Sequence, residues 1–338
     1  MTGLLTAASM CSGYGGLDMA VAAVLDTRLL WVADNDDDAA RVLAYRFPGV
    51  PNLGDLTGID WGTVPAPDVL TAGFPCQDLS YAGRGAGIKE GTRSGLWHTI
   101  ADAVATLRPR LLVLENVRAI VTRRPGLDVV LADLARLGFD ANWTCLRASD
   151  VGAAHERWRW FCLAWPAEAV QDPDRSASGQ RGIAASGQTQ GRRARPDTGR
   201  RSRTPAADTC GQGPQGPGST QERHPTAPQH RAGPDTRAVD WGPYAAAVTR
   251  WEATSGRPAP WPVEPGRGGR PRLSPRLAEW LMGLPGGWVT DVPGISYNGQ
   301  LRLIGNGVVP LQAAAAVAAL LPEHLRPDTI TSTEVIAA

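Results

Sequence analysis

The stretch LLTAASMCSGYGGLDMAVAAVL, residues 4–25, decides the fold. Residues 4–10 predict a strand, 13–16 a glycine turn and 17–25 a helix, because an apolar run is followed by glycines and then by a helical stretch. Similar apolar runs and amphipathic stretches alternate through the first 165 residues. This alternation is typical of βα units on a mostly parallel sheet and predicts an α/β fold.

Further elements of the same kind follow along the chain. The apolar run at 111–114 predicts another strand, and the runs at 142–146 and 158–165 predict a closing antiparallel pair. No internal repeat is visible. We also expect strands at 29–33 and 68–71, and helices at 37–47, 96–107, 127–137, 273–282 and 310–321.

Length, charge and cysteine spacing limit the class of protein. The 338 residues suffice for one large α/β domain and a smaller second one. A formal net charge of +1 means that any field attracting a polyanion must be local. The five cysteines lack CxxC spacing, so we expect neither a metal nor disulfides. We recognise no leader and no apolar run of ~18 residues, and therefore expect an intracellular protein without a membrane span.

The composition changes between residues 168 and 240, where Gly, Pro, Gln, Ser, Thr and Arg dominate. Such a segment is typical of a mobile linker or surface insert, and we assign residues 172–236 to one. Residues 241–271 carry three tryptophans and a tyrosine, which indicates a small packed module, although such residues also serve to cover a large domain. We therefore expect one domain from residues 1–166 and 273–338 and a second from 167–272.

The glycine turn has the features of a ligand site. Glycines let the backbone approach a ligand closely, and the first N–H groups of the following helix suit a carboxylate. Asp34 follows about twenty residues later, at the end of the second predicted strand, where an acid binds ribose hydroxyls in nucleotide sites. A glycine turn is also common without a ligand, so these residues alone leave nucleoside-cofactor binding open.

Cys76 lies just after the third predicted strand, at the end where α/β sheets place ligands. A lone cysteine is more often a small buried hydrophobic residue. This one lies between a proline and a glutamine, and a glycine-rich loop at 82–95 follows that is suited to act as a lid. Glu115 comes directly after the strand at 111–114, so a nucleophile and an acid project from two strands beside the glycine turn.

Seven motifs, in order along the chain, make the sequence resemble the DNA cytosine C5-methyltransferase family. The ordered set is far more specific than any one of its members. The motifs are SGYGG at 12–16, GDL at 54–56, FPCQ at 74–77, ENV at 115–117, HERWR at 155–159, the segment at 274–285 that contains EWLMGLP, and GNGVVP at 305–310.

The resemblance implies a Rossmann-like, S-adenosylmethionine-dependent methyltransferase sheet with a smaller target-recognition domain. It implies that Cys76 adds to C6 of a cytosine flipped out of double-stranded DNA, and that Glu115 acts at N3 of the ring. Arg157 and Arg159 are then expected to hold the base carbonyl and a neighbouring phosphate. The residues implied to contact the cofactor are Cys11, Ser12, Gly13, Tyr14, Gly15, Gly16, Asp34, Asn35, Asp55, Leu56, Pro75, Leu96, Asn306 and Val308.

Three positions depart from the family pattern. Cys11 stands where an aromatic residue usually packs on the adenine, Asp34 replaces a longer glutamate, and His155 replaces a glutamine. Asn35 and Asp36 are neighbouring candidates for the role of Asp34. None of these departures touches the proposed nucleophile or the catalytic glutamate.

The family also implies a setting for the protein. We expect double-stranded DNA as the partner, and either a cognate restriction endonuclease or a phage-type genome-protection role. We further expect a monomer in the cytoplasm of a bacterium or of a phage-infected cell. Two alternatives stay open, an RNA cytosine-5 methyltransferase and a catalytically silent DNA-binding relative. The long variable segment favours DNA, and intact Cys76, Glu115 and Arg157 favour an active enzyme.

Overall fold

Six strands form the central sheet of the computed structural model, which describes residues 4–74, 96–167 and 239–326. The strands are β1 (Leu5–Met10), β2 (Thr27–Ala33), β3 (Val69–Gly73), β4 (Leu111–Val117), β5 (Phe139–Arg147) and β6 (Trp158–Pro166). Their order in the sheet is β2-β1-β3-β4-β6-β5. The first four in this order run parallel, and β6 runs antiparallel to both β4 and β5.

The strand order reverses beside β1. The chain passes from β1 to β2 on one side and then returns to β3 on the other. In open α/β sheets ligands bind at such a switch point, outside the carboxyl ends of the strands. This arrangement confirms the predicted α/β fold, and it brings Cys11, Phe74 and Glu115 to one edge of the sheet.

Helices cover both faces of the sheet. They are α1 (Gly16–Leu25), α2 (Asp37–Arg46), α3 (Leu96–Leu107), α4 (Ala119–Thr122), α5 (Leu127–Arg136), α6 (Ala245–Ser255), α7 (Pro275–Leu281), α8 (Tyr297–Asn306) and α9 (Pro310–Leu320). Alternate residues of β4 point to opposite layers, Val113 toward α1 and α9 and Leu112 and Leu114 toward α3 and α5. Because both faces are covered, β4 begins as an unbroken apolar run.

Residues 239–326 add a third buried cluster beside the sheet. Trp251 of α6 and Trp280 of α7 pack edge to face with ring centroids 6.4 Å apart, and Trp251 Nε1 donates to the Trp280 carbonyl at 2.9 Å. The same cluster contains Tyr14 of the glycine turn and Leu303 of α8. A short hairpin of β7 (Val263–Pro265) and β8 (Pro271–Leu273) precedes α7, and its turn is exposed.

The predicted end of β4 is wrong. The strand does not stop at residue 114 but continues to Val117, because Glu115, Asn116 and Val117 pair with Phe161, Trp160 and Arg159 of β6. A search for an apolar run ends at the first charged residue and therefore misses these pairs. As a result, Glu115 lies within a strand and not in a loop.

The start of the helix predicted at 273–282 is also wrong. Leu273 pairs with Val263 in the hairpin, Ser274 occupies the N-cap position, and Pro275 opens the helix. Helices α4, α6 and α8 and the hairpin were not predicted. The division into a cofactor domain and a recognition domain stays a prediction, because residues 168–238 lie outside the described residues.

One segment of the described chain, Tyr297–Leu320, is long and apolar enough to cross a membrane by length and composition, with a mean hydropathy of 1.7. In the structure it is two helices, α8 and α9, that are interrupted at residues 307–309. Ala313, Ala316 and Val317 of this segment are buried in the core against α1. Core helices pass the same test, so the segment is weak support for a membrane span.

Candidate active site

A cleft of about 410 Å³ opens at the carboxyl edge of β1, β3 and β4. A volume of this order suits a cofactor or another small ligand. The predicted cofactor residues that line it are Cys11, Ser12, Gly13, Tyr14, Gly16, Asp34, Asn35, Asp55, Leu56, Leu96, Asn306 and Val308. The predicted catalytic residues Glu115 and Arg159 line the same cleft.

The glycine turn depends on backbone conformations that favour small residues. Gly13 and Gly15 have positive φ angles of 56° and 82°. Gly15 does not line the cleft; a Cβ at this position would lie 2.6 Å from the ring of Phe47, so the missing side chain allows Phe47 to pack there. Cys11 also has a positive φ, 51°, which is uncommon for a residue with a side chain.

Asp34 ties the glycine turn to the end of β2. One carboxylate oxygen accepts from the Gly13 N–H at 2.8 Å, and the other accepts from the Asp36 N–H at 2.9 Å. Burial raises the pKa of Asp34, although these hydrogen bonds oppose that effect. Each oxygen keeps further accepting capacity, so the carboxylate is both fixed in place and available to a ligand.

Asp36 has a different task from Asp34. Its carboxylate caps α2 by accepting from the N–H groups of Asp38 and Ala39, both at 3.0 Å. It also pairs with Arg302 of α8, whose guanidinium reaches Asp38 at 2.7 Å as well. These hydrogen bonds, that of Arg302 first, lower the pKa of Asp36. The oxygens of Asp36 are therefore committed to the fold, which favours Asp34 as the acid that faces a ligand.

Asp55 is an exposed acid on the rim of the cleft. Its Oδ1 accepts from the backbone N–H and the hydroxyl of Thr57 at 2.9 and 2.8 Å, and these bonds lower the pKa of Asp55. Its Oδ2 lies 3.5 Å from the Asn35 amide nitrogen. Burial, together with the charges of Asp34 and Asp55, raises the pKa of the Cys11 thiol, so that Cys11 is a neutral thiol between two acids.

The loop after α8 docks onto the glycine turn from the far end of the chain. The Tyr14 hydroxyl donates to the Val308 carbonyl at 2.5 Å. A Cβ on Gly16 would lie 2.8 Å from the same carbonyl oxygen, and one on Gly307 would lie 1.9 Å from the Tyr14 ring. The close fit depends on both glycines, and it brings Asn306 and Val308 to the cleft that Asp34 and Asp55 line.

Glu115 and Arg159 form an ion pair inside the cleft. Arg159 Nε lies 2.8 Å from Glu115 Oε1, and the two side chains are only 14% and 13% exposed. Burial raises the pKa of Glu115, while the charges of Arg159 and Arg157 oppose the rise. The other oxygen, Oε2, faces the backbone of Gly73 at the end of β3, where a Cβ would be 3.5 Å away. This oxygen accepts no hydrogen bond from the described residues.

Arg157 is not part of the cleft wall. Its NH2 group donates to the carbonyls of Gly305 and Gly307 at 2.8 and 2.5 Å, so it holds the loop after α8. Its own carbonyl accepts from Gln312 Nε2 at 3.0 Å. Burial, followed by the charge of Arg159, lowers the pKa of Arg157 to about 10. The two arginines thus differ in their contacts, since Arg159 pairs with Glu115 and Arg157 holds the loop after α8, and the catalytic roles predicted for both stay predictions.

Cys76 and Pro75 lie outside the described residues, as does the loop at 82–95. The last described residue before them is Phe74, which is buried and lines the cleft. The Asn116 side chain donates to the Phe74 carbonyl at 3.2 Å and so fixes the chain two residues before Cys76. Sequence reasoning included Phe74 and Asn116 in its motifs but gave them no role.

Arg302 is a cleft residue that sequence reasoning missed. Its partners, Asp36 and Asp38, lie 266 and 264 residues away along the chain, and no local pattern signals such pairs. His155, the unusual residue of its motif, places Nε2 2.9 Å from the Leu281 carbonyl at the end of α7. Burial lowers the pKa of His155, so this contact is one of a neutral ring.

The sheet, with an acid–arginine pair beside a glycine turn, places the protein in the class of Rossmann-like α/β proteins. Comparison with known proteins identifies the family. The chain matches the profile of the C-5 cytosine-specific DNA methylase family over residues 5–321, and it belongs to this family. The resemblance seen in the sequence is thereby confirmed.

Individual relatives share parts of the chain. Type II methyltransferase M.NgoBI of Neisseria gonorrhoeae is 34% identical over 156 residues, which are 46% of this chain and 48% of that protein. M.CviJI of Paramecium bursaria Chlorella virus IL3A is 35% identical over 130 residues, 38% of this chain and 35% of the relative. In both cases the match spans less than half of the relative. Among solved structures, S. pombe Dnmt2 methyltransferase covers 94% of this chain with 98% of its own, at 12% identity and a TM-score of 0.53, and so shares the fold.

Proposed function

We propose that this protein methylates the C5 carbon of cytosine in double-stranded DNA, with S-adenosylmethionine as the methyl donor. The observation that carries the proposal is the largely buried Glu115–Arg159 pair, which lines the same cleft as the glycine turn and Asp34. A nucleoside-binding wall next to an acid with a raised pKa suits methyl transfer to a ring carbon. The family to which the chain belongs supports the same reaction.

The residues of the cleft fit S-adenosylmethionine. Asp34 and Asp55 offer carboxylate oxygens to ribose hydroxyls and to the adenine amino group. Helix α1 has no side-chain cap, so its first N–H groups suit the carboxylate of the ligand. The neutral Cys11 thiol and buried Leu56 add apolar contact. When bound, the cofactor supplies an electrophilic methyl group.

In the proposed reaction the Cys76 thiolate adds to C6 of the cytosine, which makes C5 nucleophilic. Glu115 holds a proton at N3 and stabilises the charge that develops on the ring. C5 takes the methyl group, a base removes the C5 proton, and the electron pair of that bond restores the ring double bond as the Cys76 sulfur leaves. Cys76 enters this proposal through its motif and its place in the sequence directly after Phe74 and Pro75.

The two arginines have separate roles in the proposal. Arg159 lines the cleft beside Glu115, so it is the guanidinium suited to the base carbonyl. Arg157 is a positioning residue, because its hydrogen bonds to Gly305 and Gly307 keep Asn306 and Val308 facing the cleft. The sequence led us to expect that both arginines contact the base or its phosphate, whereas we now assign contact with the base to Arg159 alone.

The substrate is duplex DNA that carries a specific site, as expected for relatives of Type II methyltransferases. The target cytosine has to leave the base stack, at a cost of a few kcal/mol, before its C6 becomes accessible. A cognate restriction endonuclease, a monomeric state and a cytoplasmic setting belong to the same proposal. An RNA substrate is the alternative, and a comparison of methyl transfer to duplex DNA and to RNA distinguishes the two substrates.

Residues 241–270 choose the DNA site in this proposal, and residues 172–236 supply salt-dependent attraction to phosphates. Arg267 and Arg270 are exposed in the turn between β7 and β8, and their guanidiniums have no partner among the described residues. A two-stranded ribbon fits the major groove of DNA, where arginine reads guanine with two hydrogen bonds. The insert at 172–236 lies outside the described residues.

The central test removes the nucleophile. Cys76→Ala abolishes methyl transfer and leaves S-adenosylmethionine binding intact, because only one sulfur atom is lost. The matched control is Cys145→Ala in β5, where partial burial raises the pKa of the thiol and no catalytic role is assigned. Transfer of labelled methyl groups to duplex DNA and to RNA is measured for both variants. Activity that survives in Cys76→Ala contradicts the mechanism, and activity on RNA alone contradicts the substrate.

A trapping experiment sharpens this result. Duplex DNA with 5-fluorocytosine at the target retains the enzyme covalently, since fluorine at C5 blocks the final elimination. The wild-type protein and Cys145→Ala are expected to form the adduct, and Cys76→Ala is not. Mass spectrometry of the adduct identifies the attached residue.

A further inference from the structure

Three side chains from adjacent parts of the sheet form a row at its carboxyl edge. Arg118 comes directly after β4, Trp158 begins β6, and Arg147 ends β5. Trp158 and Arg147 are partners in the β5–β6 register, and Val117, just before Arg118, pairs with Arg159 next to Trp158. This arginine–tryptophan row, Arg118, Trp158 and Arg147, therefore lies on the edge at which the cleft opens.

The two guanidiniums of the row stack on the indole. Arg118 Cζ lies 4.5 Å from the Trp158 ring centroid, and Arg147 Cζ lies 5.2 Å from it. Because β6 lies between β4 and β5, the arginines reach the indole from the strands on either side. Cation–π contact holds each guanidinium at a defined place on the surface.

The two arginines of the row differ in whether a described acid neutralises their charge. Arg147 Nε forms an ion pair with Asp150 at 3.0 Å. Arg118 is exposed, and within the described residues its side chain has neither an ion pair nor a hydrogen bond, so the indole is its partner there. Stacking covers a face of the guanidinium but leaves its five N–H donors at the edge free for an anion.

The row is close to the proposed site of reaction. Arg159, the residue after Trp158, pairs with Glu115 inside the cleft. Phe161, which faces Glu115 in the sheet, is three residues along β6 from Trp158, a separation of about 10 Å at the rise of a strand. A phosphate beside a base held in the cleft is within reach of a long arginine side chain at that separation.

We infer that the arginine–tryptophan row binds the sugar–phosphate backbone of duplex DNA next to the target cytosine, with Arg118 as the phosphate-contacting guanidinium. The inference rests on the proposed function, since it needs duplex DNA as the substrate. It goes beyond that proposal by naming a surface outside the cleft, on strands that hold neither the nucleophile nor the glycine turn.

The chain offers a matched control for Arg118. Arg110 lies directly before β4 and Arg118 lies directly after it, so the two arginines carry the same charge at opposite ends of one strand. Its side chain is 58% exposed and is 3.7 Å from Asp68. Binding of the full-length protein to duplexes with and without the target site is measured between about 50 and 200 mM salt for Arg118→Gln, Arg118→Lys and Arg110→Gln.

Arg118→Gln is expected to weaken binding to both duplexes by about tenfold at low salt, and to reduce the salt slope by about 0.9, the value for one phosphate contact. Arg118→Lys keeps the slope, because it keeps the charge, and loses part of the affinity with the planar stack. Arg110→Gln matches the wild-type protein. Thermal unfolding of the three variants shows whether a loss of binding reflects a loss of folding.

Several outcomes overturn the inference. It is wrong if Arg118→Gln and Arg110→Gln bind alike, or if Arg118→Gln changes which sequence is methylated, because a phosphate contact carries no sequence information. It is also wrong if the variant loses affinity for single-stranded RNA and keeps it for duplex DNA. A wild-type protein that methylates duplex DNA while Arg118→Gln binds normally leaves the proposed function standing. A wild-type protein that neither binds nor methylates duplex DNA refutes both.

Discussion

The carboxyl edge of the sheet and the turn after α7 each bury a glutamate, and they stabilise it by different means. Glu279 in α7 is 2% exposed and accepts four hydrogen bonds from Gly287, Val289 and Thr290 at 2.5–3.0 Å. Glu115 in β4 has a single ion-pair partner, Arg159, and an oxygen that accepts nothing from the described residues. The first acid is fully satisfied by fixed neighbours, whereas the second, with a side chain that is 13% exposed, keeps one oxygen without such a partner.

The difference separates an acid that shapes the fold from one that is available to a ligand. Backbone N–H groups hold the Glu279 side chain in place and fasten residues 287–290 to α7. Glu115 lines the cleft, has a raised pKa and keeps an oxygen that accepts no hydrogen bond from the described residues, features that are costly in a purely structural residue and useful in a catalytic one. The same substitution at both positions tests this distinction.

The largest effect is expected for Glu115→Gln. The variant keeps the shape of the side chain but has no acidic proton to hold at N3, so kcat for methyl transfer falls by about 10²–10⁴-fold. The melting temperature changes little, because Glu115 makes few contacts that an amide cannot replace. Steady-state kinetics with labelled S-adenosylmethionine and thermal unfolding measure the two quantities. Equal activity in Glu115→Gln and the wild-type protein contradicts the catalytic role.

Glu279→Gln is expected to show the reverse pattern. Whichever way the amide is turned, its NH2 group meets at least one backbone N–H that it cannot accept from, and the free energy of unfolding falls by about 3 kcal/mol. The kcat of the folded fraction stays close to that of the wild-type protein. Denaturant unfolding measures the loss, with Glu264→Gln as the control, since Glu264 is a partly exposed acid paired with Arg272 at 2.7 Å. Equal unfolding midpoints for the two variants contradict the structural role of Glu279.

These two acids also show what the sequence predicts and what it does not. The place of Glu115 follows from a local pattern, because an apolar run that ends in a carboxylate lies where parallel strands bind ligands. The βα units and their turns follow from the same short-range periodicity, and all strands predicted within the first 165 residues are present. Hydrophobic periodicity and the turn residues between elements were therefore sufficient to predict the strands in that half of the chain.

The parts that were not predicted depend on contacts over long sequence distances or on weak local signals. Arg157 binds carbonyls 148 and 150 residues further along the chain, so its motif gave no sign that it holds a loop. Helix α8 has the sequence YNGQLRLIGN, whose glycines and asparagines are poor helix formers, and Ser296 and tertiary packing support it instead. The roles assigned to Cys76 and to the recognition segment stay predictions, because Cys76 and residues 168–238 of that segment lie outside the described ranges.

A third buried acid, Asp18, gives the smallest effect and one of opposite sign. It lies in the first turn of α1, 4% exposed, and accepts from the Ser9 hydroxyl of β1 at 2.9 Å and the Thr71 hydroxyl of β3 at 2.7 Å. It thus joins the two strands whose ends form the cleft. Burial raises the pKa of Asp18 to about 6, above its ordinary 3.8, so two hydroxyl donors do not offset the loss of water around its charge.

The sign of the pH dependence follows from this shift. Because the folded state binds the proton more tightly than the unfolded state, ionisation of Asp18 lowers stability as the pH rises from about 4 to about 6, and the loss is complete above that range. Asp18→Asn removes the charge. The Thr71 hydroxyl is then able to donate its proton to the Ala8 carbonyl, 3.5 Å away, and to accept a hydrogen bond from the new amide NH2 group. We expect the variant to gain about 1–2 kcal/mol over the wild-type protein near pH 7 and nothing near pH 4. Urea unfolding across this range measures the difference.

Asp128→Asn is the control with the opposite sign, since the Gly126 N–H lowers the pKa of exposed Asp128 and its charge is favourable when folded. An Asp18→Asn variant that is less stable than the wild-type protein at neutral pH would mean that the hydroxyl pair stabilises the carboxylate more than burial destabilises it, and Asp18 would then belong with Glu279 among the acids that hold the fold.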